Sequence, residues 1–153
     1  MPANKLREFL DQKHVKYITI RHSVAYTAQE IASLTHIPGS ELAKTVMVKM
    51  DGEMAMAVVP ASQRVDLTLL KKVAGVDNVE LATETEFKYR FPDCEAGAMP
   101  PFGNLYKMPV YSSEDLRLDE DIAFNAGTHS ELVRLKYQDY ERLVQPRVAR
   151  ISH

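Results

Sequence analysis

A single cysteine among 153 residues, Cys94, excludes an internal disulfide and fits a reducing compartment. Strong positive charge is missing too. Nineteen Lys and Arg against 21 Asp and Glu leave a formal net charge of −2, whereas a protein that grips a long stretch of phosphate backbone is normally basic. A nucleic-acid partner is therefore expected only through a small contact, such as one strand end, or through a local basic patch. No apolar run approaches the ~20 residues of a membrane span. Met1-Pro2-Ala3-Asn4-Lys5 lacks the apolar segment of a signal peptide, so the cytoplasm is the expected location. The histidines, at 14, 22, 36, 129 and 153, show neither HxxxH spacing nor a cysteine partner, and no metal is expected. A Gly-x-Ser-x-Gly elbow, a P-loop and a dinucleotide fingerprint are absent as well, which leaves little support for a covalent mechanism or a cofactor.

What is present fits one domain over residues 1–153, without repeat, low-complexity segment or linker. Leu6, Phe9 and Leu10 form the apolar stripe of a helix from Lys5 to about Lys13, with Asn4 placed to cap it. Val15 to Ile20 alternates as a half-buried strand. Thr27-Ala28-Gln29-Glu30 is a capping box opening a second helix, and Pro38 to Glu41 begins a short helical turn. Lys44–Met50 and Glu53–Pro60 are two strands joined by Asp51-Gly52, a strong hairpin signal. The second is apolar on both faces and should be central. Asp66 caps a helix over Leu67–Val73 that ends at Gly75, and Thr83-x-x-Glu86 opens another that Pro92 stops. A short strand around Val110, a hairpin of 121–125 with 131–135, a last helix over Tyr137–Leu143 and a basic tail complete the chain. Strands and helices so interspersed predict an α+β fold with a mixed or mostly antiparallel sheet.

Cys94-Glu95-Ala96-Gly97-Ala98-Met99-Pro100-Pro101-Phe102-Gly103 is the stiffest stretch. Two prolines fix φ and push Met99 and Pro100 to extended backbone, and glycines bracket the turn. Free N–H groups are expected at Gly97, Ala98, Met99, Phe102 and Gly103, where they can cradle a carbonyl oxygen or an anion. Residue types alone favour a tight surface turn over a binding loop.

Lys44 shares its strand face with Val46, Val48 and Met50. An ammonium there must reach water, an anion or a partner. It is either a snorkelling lysine or a pocket residue. His129 follows a Gly-Thr turn, and His22 and Tyr26 sit in a loop that can face a cleft or pack on the sheet. Met47, Met54 and Met56 are core fillers, Cys94 is a buried inert thiol rather than a nucleophile, and helix capping explains Asp66, beside Arg64.

Gly97-x-x-x-Pro101 with Phe102-Gly103, Glu41-Leu42-Ala43-Lys44-Thr45 upstream and Phe124-Asn125-Ala126-Gly127-Thr128-His129 downstream together resemble the YbaK/prolyl-tRNA synthetase-associated domain family of aminoacyl-tRNA editing deacylases. The order of the three pieces matches over roughly residues 20–140. The resemblance implies a curved, partly barrel-like sheet with flanking helices. It also implies hydrolysis of the ester of a mischarged tRNA bearing a small amino acid. Lys44, Gly97 and Ala98 would serve catalysis, and His22, Tyr26, Thr45, Met99, Pro100, Pro101 and His129 would bind substrate. The implied partner is the acceptor end of tRNA, with a synthetase as a second, and neither DNA nor membrane. His22-Ser23-Val24-Ala25 departs from members with prolines after this histidine, which leaves the amino acid open. A non-catalytic tRNA- or synthetase-binding module is the alternative, and a hydrolase of another small ester or nucleotide is a third.

Overall fold

Asp51 and Gly52 both take positive φ, +49° and +86°, the paired left-handed geometry that matches the twist of a two-residue hairpin. They join β2 (Ala43–Met50) to β3 (Glu53–Pro60) with Met50 opposite Glu53 and Lys44 opposite Val59. The structure, a computed structural model, describes residues 4–153; the reading of Met1, Pro2 and Ala3 above lies outside the described residues. β3 is buried from Ala55 to Pro60 and central, as its two apolar faces require. Around it a five-stranded sheet runs β4 (Val79–Leu81), β2, β3, β5 (Val110–Ser113), β8 (Arg147–Ala149), with β3–β5 and β5–β8 parallel. A three-stranded antiparallel sheet orders β1 (Tyr17–Arg21), β7 (Glu131–Lys136), β6 (Asp121–Asn125). A parallel bridge between Leu42 and Ala123 joins the two sheets, with the Ala123 N–H donating to the Glu41 carbonyl at 3.0 Å. The result is the mixed, partly closed α+β architecture.

Each helix has a local cause. In α1 (Asn4–Gln12), Leu6 and Leu10 are fully buried one turn apart. Asn4 is itself the first helical residue, so it does not cap as expected. α2 (Ala28–Thr35) is capped by Thr27, whose hydroxyl oxygen accepts from the Glu30 N–H at 3.1 Å and whose proton goes to the Glu30 carboxylate at 3.0 Å. Asp66 accepts from the Leu69 N–H at 3.0 Å to open α3 (Leu67–Ala74), which Gly75 ends at φ +68°. Thr83 and Glu86 cap one another reciprocally at α4 (Glu84–Phe87). α5 is Tyr137–Val144.

Three differences from the sequence reading have physical reasons. The basic tail contains β8, which adds to β5 through backbone bonds its short sequence does not announce. β4, equally short, pairs only with the end of β2. β1 alternates poorly, with Ile18 and Thr19 both exposed, because it is the outer strand of its sheet. The main core gathers Leu6, Leu10, Met47, Met56, Phe102, Phe124 and Tyr140; a second lies under α3 around Val48, Val59, Leu70 and Ile151; a third seats Ile31 of α2 on Leu42 and Leu132.

Candidate active site

The stiff loop is anchored from behind. Phe102 is fully buried against the rings of Phe9, Phe124 and Tyr140, and the Tyr140 hydroxyl donates to the Pro101 carbonyl at 2.9 Å. Gly103 is needed for close approach, since a Cβ there would stand 2.5 Å from Val110 Cγ2 and 2.6 Å from the Met108 oxygen. In front, the loop is laced to the β6–β7 connection. Glu95 N–H donates to Gly127 O at 2.7 Å and Gly127 N–H to Ala98 O at 2.8 Å. The His129 N–H donates to the Glu95 carboxylate at 2.7 Å and its Nε2–H to Ala96 O at 2.8 Å.

Bonds within the loop itself correct the expectation of five free N–H groups at two positions. Ala98 is fully buried and its N–H closes a turn onto Glu95 O at 3.0 Å; Phe102 N–H donates to Pro100 O at 2.8 Å. Gly97, at φ +84°, is engaged only by the Met99 sulfur at 3.2 Å, a weak acceptor that a carbonyl oxygen can displace.

Between this loop, α2 and the start of β2 lies a partly open cavity of about 190 Å³. Ile31, Leu42, Ala43 and Met99 supply apolar wall, Lys44, Thr45 and Asn125 polar wall, with Gly97 and Tyr26 at its edges. Five of the sequence-predicted residues therefore meet there: Tyr26, Lys44, Thr45, Gly97 and Met99. Five do not line it. Ala98, Pro100 and Pro101 form the buried rear of the loop. His22 turns away, its Nδ1–H donating to Ser23 O at 2.7 Å. His129 stands one layer back: its Cε1 lies 3.5 Å from where a Cβ on Gly97 would be, and the exposed Tyr26 ring lies 4.7 Å from its own. With Nε2 donating to Ala96, Nδ1 is left as a buried acceptor without a partner.

Asn125 is the polar residue that sequence reasoning passed over. The residue lines the cavity, and its Oδ1 is buried without a hydrogen-bond partner, a costly state that a donor reaching it would relieve. The available signal was a lone amide ending the apolar run Ile122-Ala123-Phe124. The Lys44 ammonium makes no ion pair or hydrogen bond among the described residues. Burial, and then the positive charge of Arg64, hold its pKa below the ordinary lysine value. Cys94 faces Asp93 and the Tyr106 hydroxyl, and burial pushes its thiol up to about 12. Among the described residues no group of three His, Cys, Asp or Glu could hold a metal ion. The site thus offers one displaceable N–H, one unpaired cation and one unpaired amide oxygen around a small, partly apolar pocket.

Residues 22–143 match the aminoacyl-tRNA editing domain family, and the chain belongs to it. Over 148 residues it is 29% identical to the multifunctional Ser/Thr-tRNA deacylase ProXp-y of Escherichia coli (strain K12), spanning 93% of this chain and 87% of that protein. A 60-residue stretch, 39% of this chain, is 42% identical to 11% of the proline–tRNA ligase of Staphylococcus aureus (strain Newman). In fold, a crystal structure of a candidate trans-editing enzyme for prolyl tRNA synthetase superposes with a TM-score of 0.84 at 22% identity, over 99% of this chain and 96% of that one.

Proposed function

We infer that this protein is a trans-editing deacylase that hydrolyses the ester linking a small amino acid to the wrong tRNA, with residues 1–153 acting as one editing domain. The observation that carries the reading is the small pocket of about 190 Å³ that joins Lys44, Gly97 and Met99. It lies below the ~300 Å³ at which ligand clefts usually begin, so it accepts an aminoacyl group and excludes a nucleotide.

The acyl carbonyl would enter beside Gly97, whose N–H leaves the Met99 sulfur to meet the developing oxyanion. Lys44 would pair with a phosphate or hydroxyl of the terminal adenosine. Neither a cysteine nor a histidine lines the pocket, so attack falls to water, assisted by the vicinal hydroxyl of the terminal ribose. An aminoacyl ester is already activated, and positioning with oxyanion stabilisation supplies what remains. Tyr26, Thr45 and Met99 would shape the acyl site, with His129 bracing Gly97 and Tyr26 from behind. Thr45 and Asn125 place polar groups where the hydroxyl of a seryl or threonyl group would lie, in keeping with the Ser/Thr-tRNA specificity of the Escherichia coli relative. No helix among the described residues is long and apolar enough to cross a membrane, and the reading places the enzyme in the cytoplasm, alongside the synthetases whose errors it would correct.

The test is amino-acid release from a panel of mischarged Ala-, Ser-, Thr- and Cys-tRNAs, with wild type beside Lys44→Ala. Lysine-dependent release from one or two small amino acids is expected. Silence across the panel, with tRNA still bound, would make the protein a binding module.

A further inference from the structure

The small pocket leaves the rest of the substrate unaccommodated. Beyond Lys44 lies a second, open groove of about 600 Å³, walled by Thr27, Gln29, Lys44, Ser62, Gln63 and Arg64. That volume falls within the ~300–1,000 Å³ of ligand clefts. Lys44 is the side chain common to both hollows. We propose that this groove seats the phosphate backbone of the nucleotides preceding the terminal one, so that the strand passes over Arg64 and only its acylated end crosses Lys44 into the pocket. The inference rests on the deacylase reading and assigns Arg64 as a substrate-positioning residue.

Three observations carry it. The groove wall holds two cations and no carboxylate. Among the described residues neither the Lys44 nor the Arg64 side chain makes an ion pair or hydrogen bond. By contrast Arg21, Arg117, Arg134 and Arg142 each face an acid, at 3.8, 2.6, 3.7 and 3.0 Å. Two like charges left together without a counter-ion repel, and the Lys44 pKa is lowered by burial first and by the Arg64 charge second. A bound phosphate would relieve that repulsion.

The second observation is rigidity where it is useful. Arg64 N–H donates to His153 O at 2.9 Å and receives the His153 N–H on its own carbonyl at 3.1 Å. The neighbouring Gln63 amide donates to Asp115 at 2.8 Å and accepts from Ser152 at 2.6 Å, and Asp66 meets His153 at 3.1 Å. The backbone under Arg64 is therefore fixed while its guanidinium is free, the preorganisation that lowers the entropic cost of gripping a ligand. Third, beside Ala32, Gly39 and Ala61 the remaining wall carries the amides of Gln29 and Gln63 and the hydroxyls of Thr27 and Ser62. It suits phosphate and ribose oxygens better than the side chains of a protein partner. A net charge of −2 does not oppose this, because the contact is confined to one strand end.

The experiment compares Arg64→Ala and Arg64→Lys with wild type on two substrates: a mischarged tRNA and the matching 2′(3′)-O-aminoacyl-adenosine, which has no phosphate. For Arg64→Ala, KM for the tRNA should rise about tenfold more than KM for the adenosine ester, and Arg64→Lys should recover most of the loss. Binding of uncharged tRNA should also lose about 0.7 from its log–log salt slope, one single-strand phosphate contact. Equal effects on both substrates, or an unchanged salt slope, would overturn the groove assignment. Unchanged tRNA affinity with lost binding of a polyglutamate peptide would give the groove to a protein. If wild type hydrolyses neither substrate the deacylase reading fails, and the salt slope still decides the groove.

Discussion

Lys44 shows what an unpaired charge implies at the scale of one residue. Its face of β2 is otherwise apolar, and its ammonium finds no acid among the described residues. Burial and Arg64 together depress its pKa. Arg64→Gln should therefore raise the Lys44 titration toward the ordinary 10.5, as read by the pH dependence of its side-chain nitrogen resonance; no upward movement would mean that the two charges do not interact. Lys44→Ala should lower kcat/KM for mischarged tRNA by about 10²-fold, the scale of losing one positioned electrostatic group. Asn125→Ala should act differently, lowering the preference for hydroxyl-bearing over alanyl substrates by about tenfold or more, because an unpaired buried acceptor penalises the ligand that cannot donate to it. Cys94 makes the opposite case. With Asp93 beside it and its thiol held up near 12, it should resist iodoacetamide at pH 8 until the protein is unfolded, and ready native-state alkylation would contradict that environment. That Lys44 needs water or a partner was legible from strand period and the cost of burial, and the family resemblance, not the period, pointed to it as a site residue. Asn125 was not legible, because only the closure of the 126–130 connection turns the end of β6 into a pocket wall.

At the scale of elements, the caps and the hairpin were readable because each is a local contest between one side chain and a few backbone groups. Asp66, Thr83 with Glu86, and Asp51-Gly52 all sit as their chemistry predicts. The proline loop was readable in its stiffness and misread in its donors. Which N–H groups remain free depends on how the loop turns on itself, and Ala98 N–H closes onto Glu95 O while Phe102 N–H closes onto Pro100 O. β4 and β8 were invisible for a different reason: three residues carry no period, and a partner strand defines them. Gly97→Ala separates the loop's conformation from its packing. A Cβ at Gly97 would meet His129 Cε1 at an ordinary 3.5 Å, so crowding is not the problem. The positive φ of +84° is, and it should cost roughly 1–2 kcal/mol of stability. Deacylation should fall further than that loss of stability explains, because relaxing φ rotates the one displaceable N–H away from the pocket. Equilibrium denaturation beside turnover measures both; parallel, modest losses would remove Gly97 N–H from the mechanism.

For the whole molecule, the site lies where the two sheets meet, and the seam has an electrostatic cost. Glu41, whose carbonyl receives the Ala123 N–H across the junction, also crowds Asp119, whose Oδ2 is buried without a partner. Burial first, and the Glu41 charge second, push the Asp119 carboxyl up to about 6 from an ordinary 3.8. The sign of the consequence follows from proton linkage. Between these two values the folded protein keeps a proton that the unfolded chain has lost, so the contribution of Asp119 is fully present below about pH 4 and disappears as pH rises through 6. Glu86, held down to about 2 by Lys49 and by the cap at Thr83, and Asp66, held down by the Leu69 N–H, work in the other direction and only in more acid solution. The window from pH 5 to 7 therefore lies above the range of Glu86 and Asp66, and the difference between wild type and Asp119→Asn across it reads Asp119. Wild type should lose stability across it, and Asp119→Asn should flatten the dependence while raising stability at pH 7 by on the order of 1 kcal/mol, solvent screening having reduced the full linkage value. Urea denaturation of both proteins at the two pH values reads this directly. An Asp119→Asn variant that keeps the wild-type slope would place the proton on another group, and one less stable at pH 7 would mean that the carboxylate bonds favourably where the seam leaves it unpartnered.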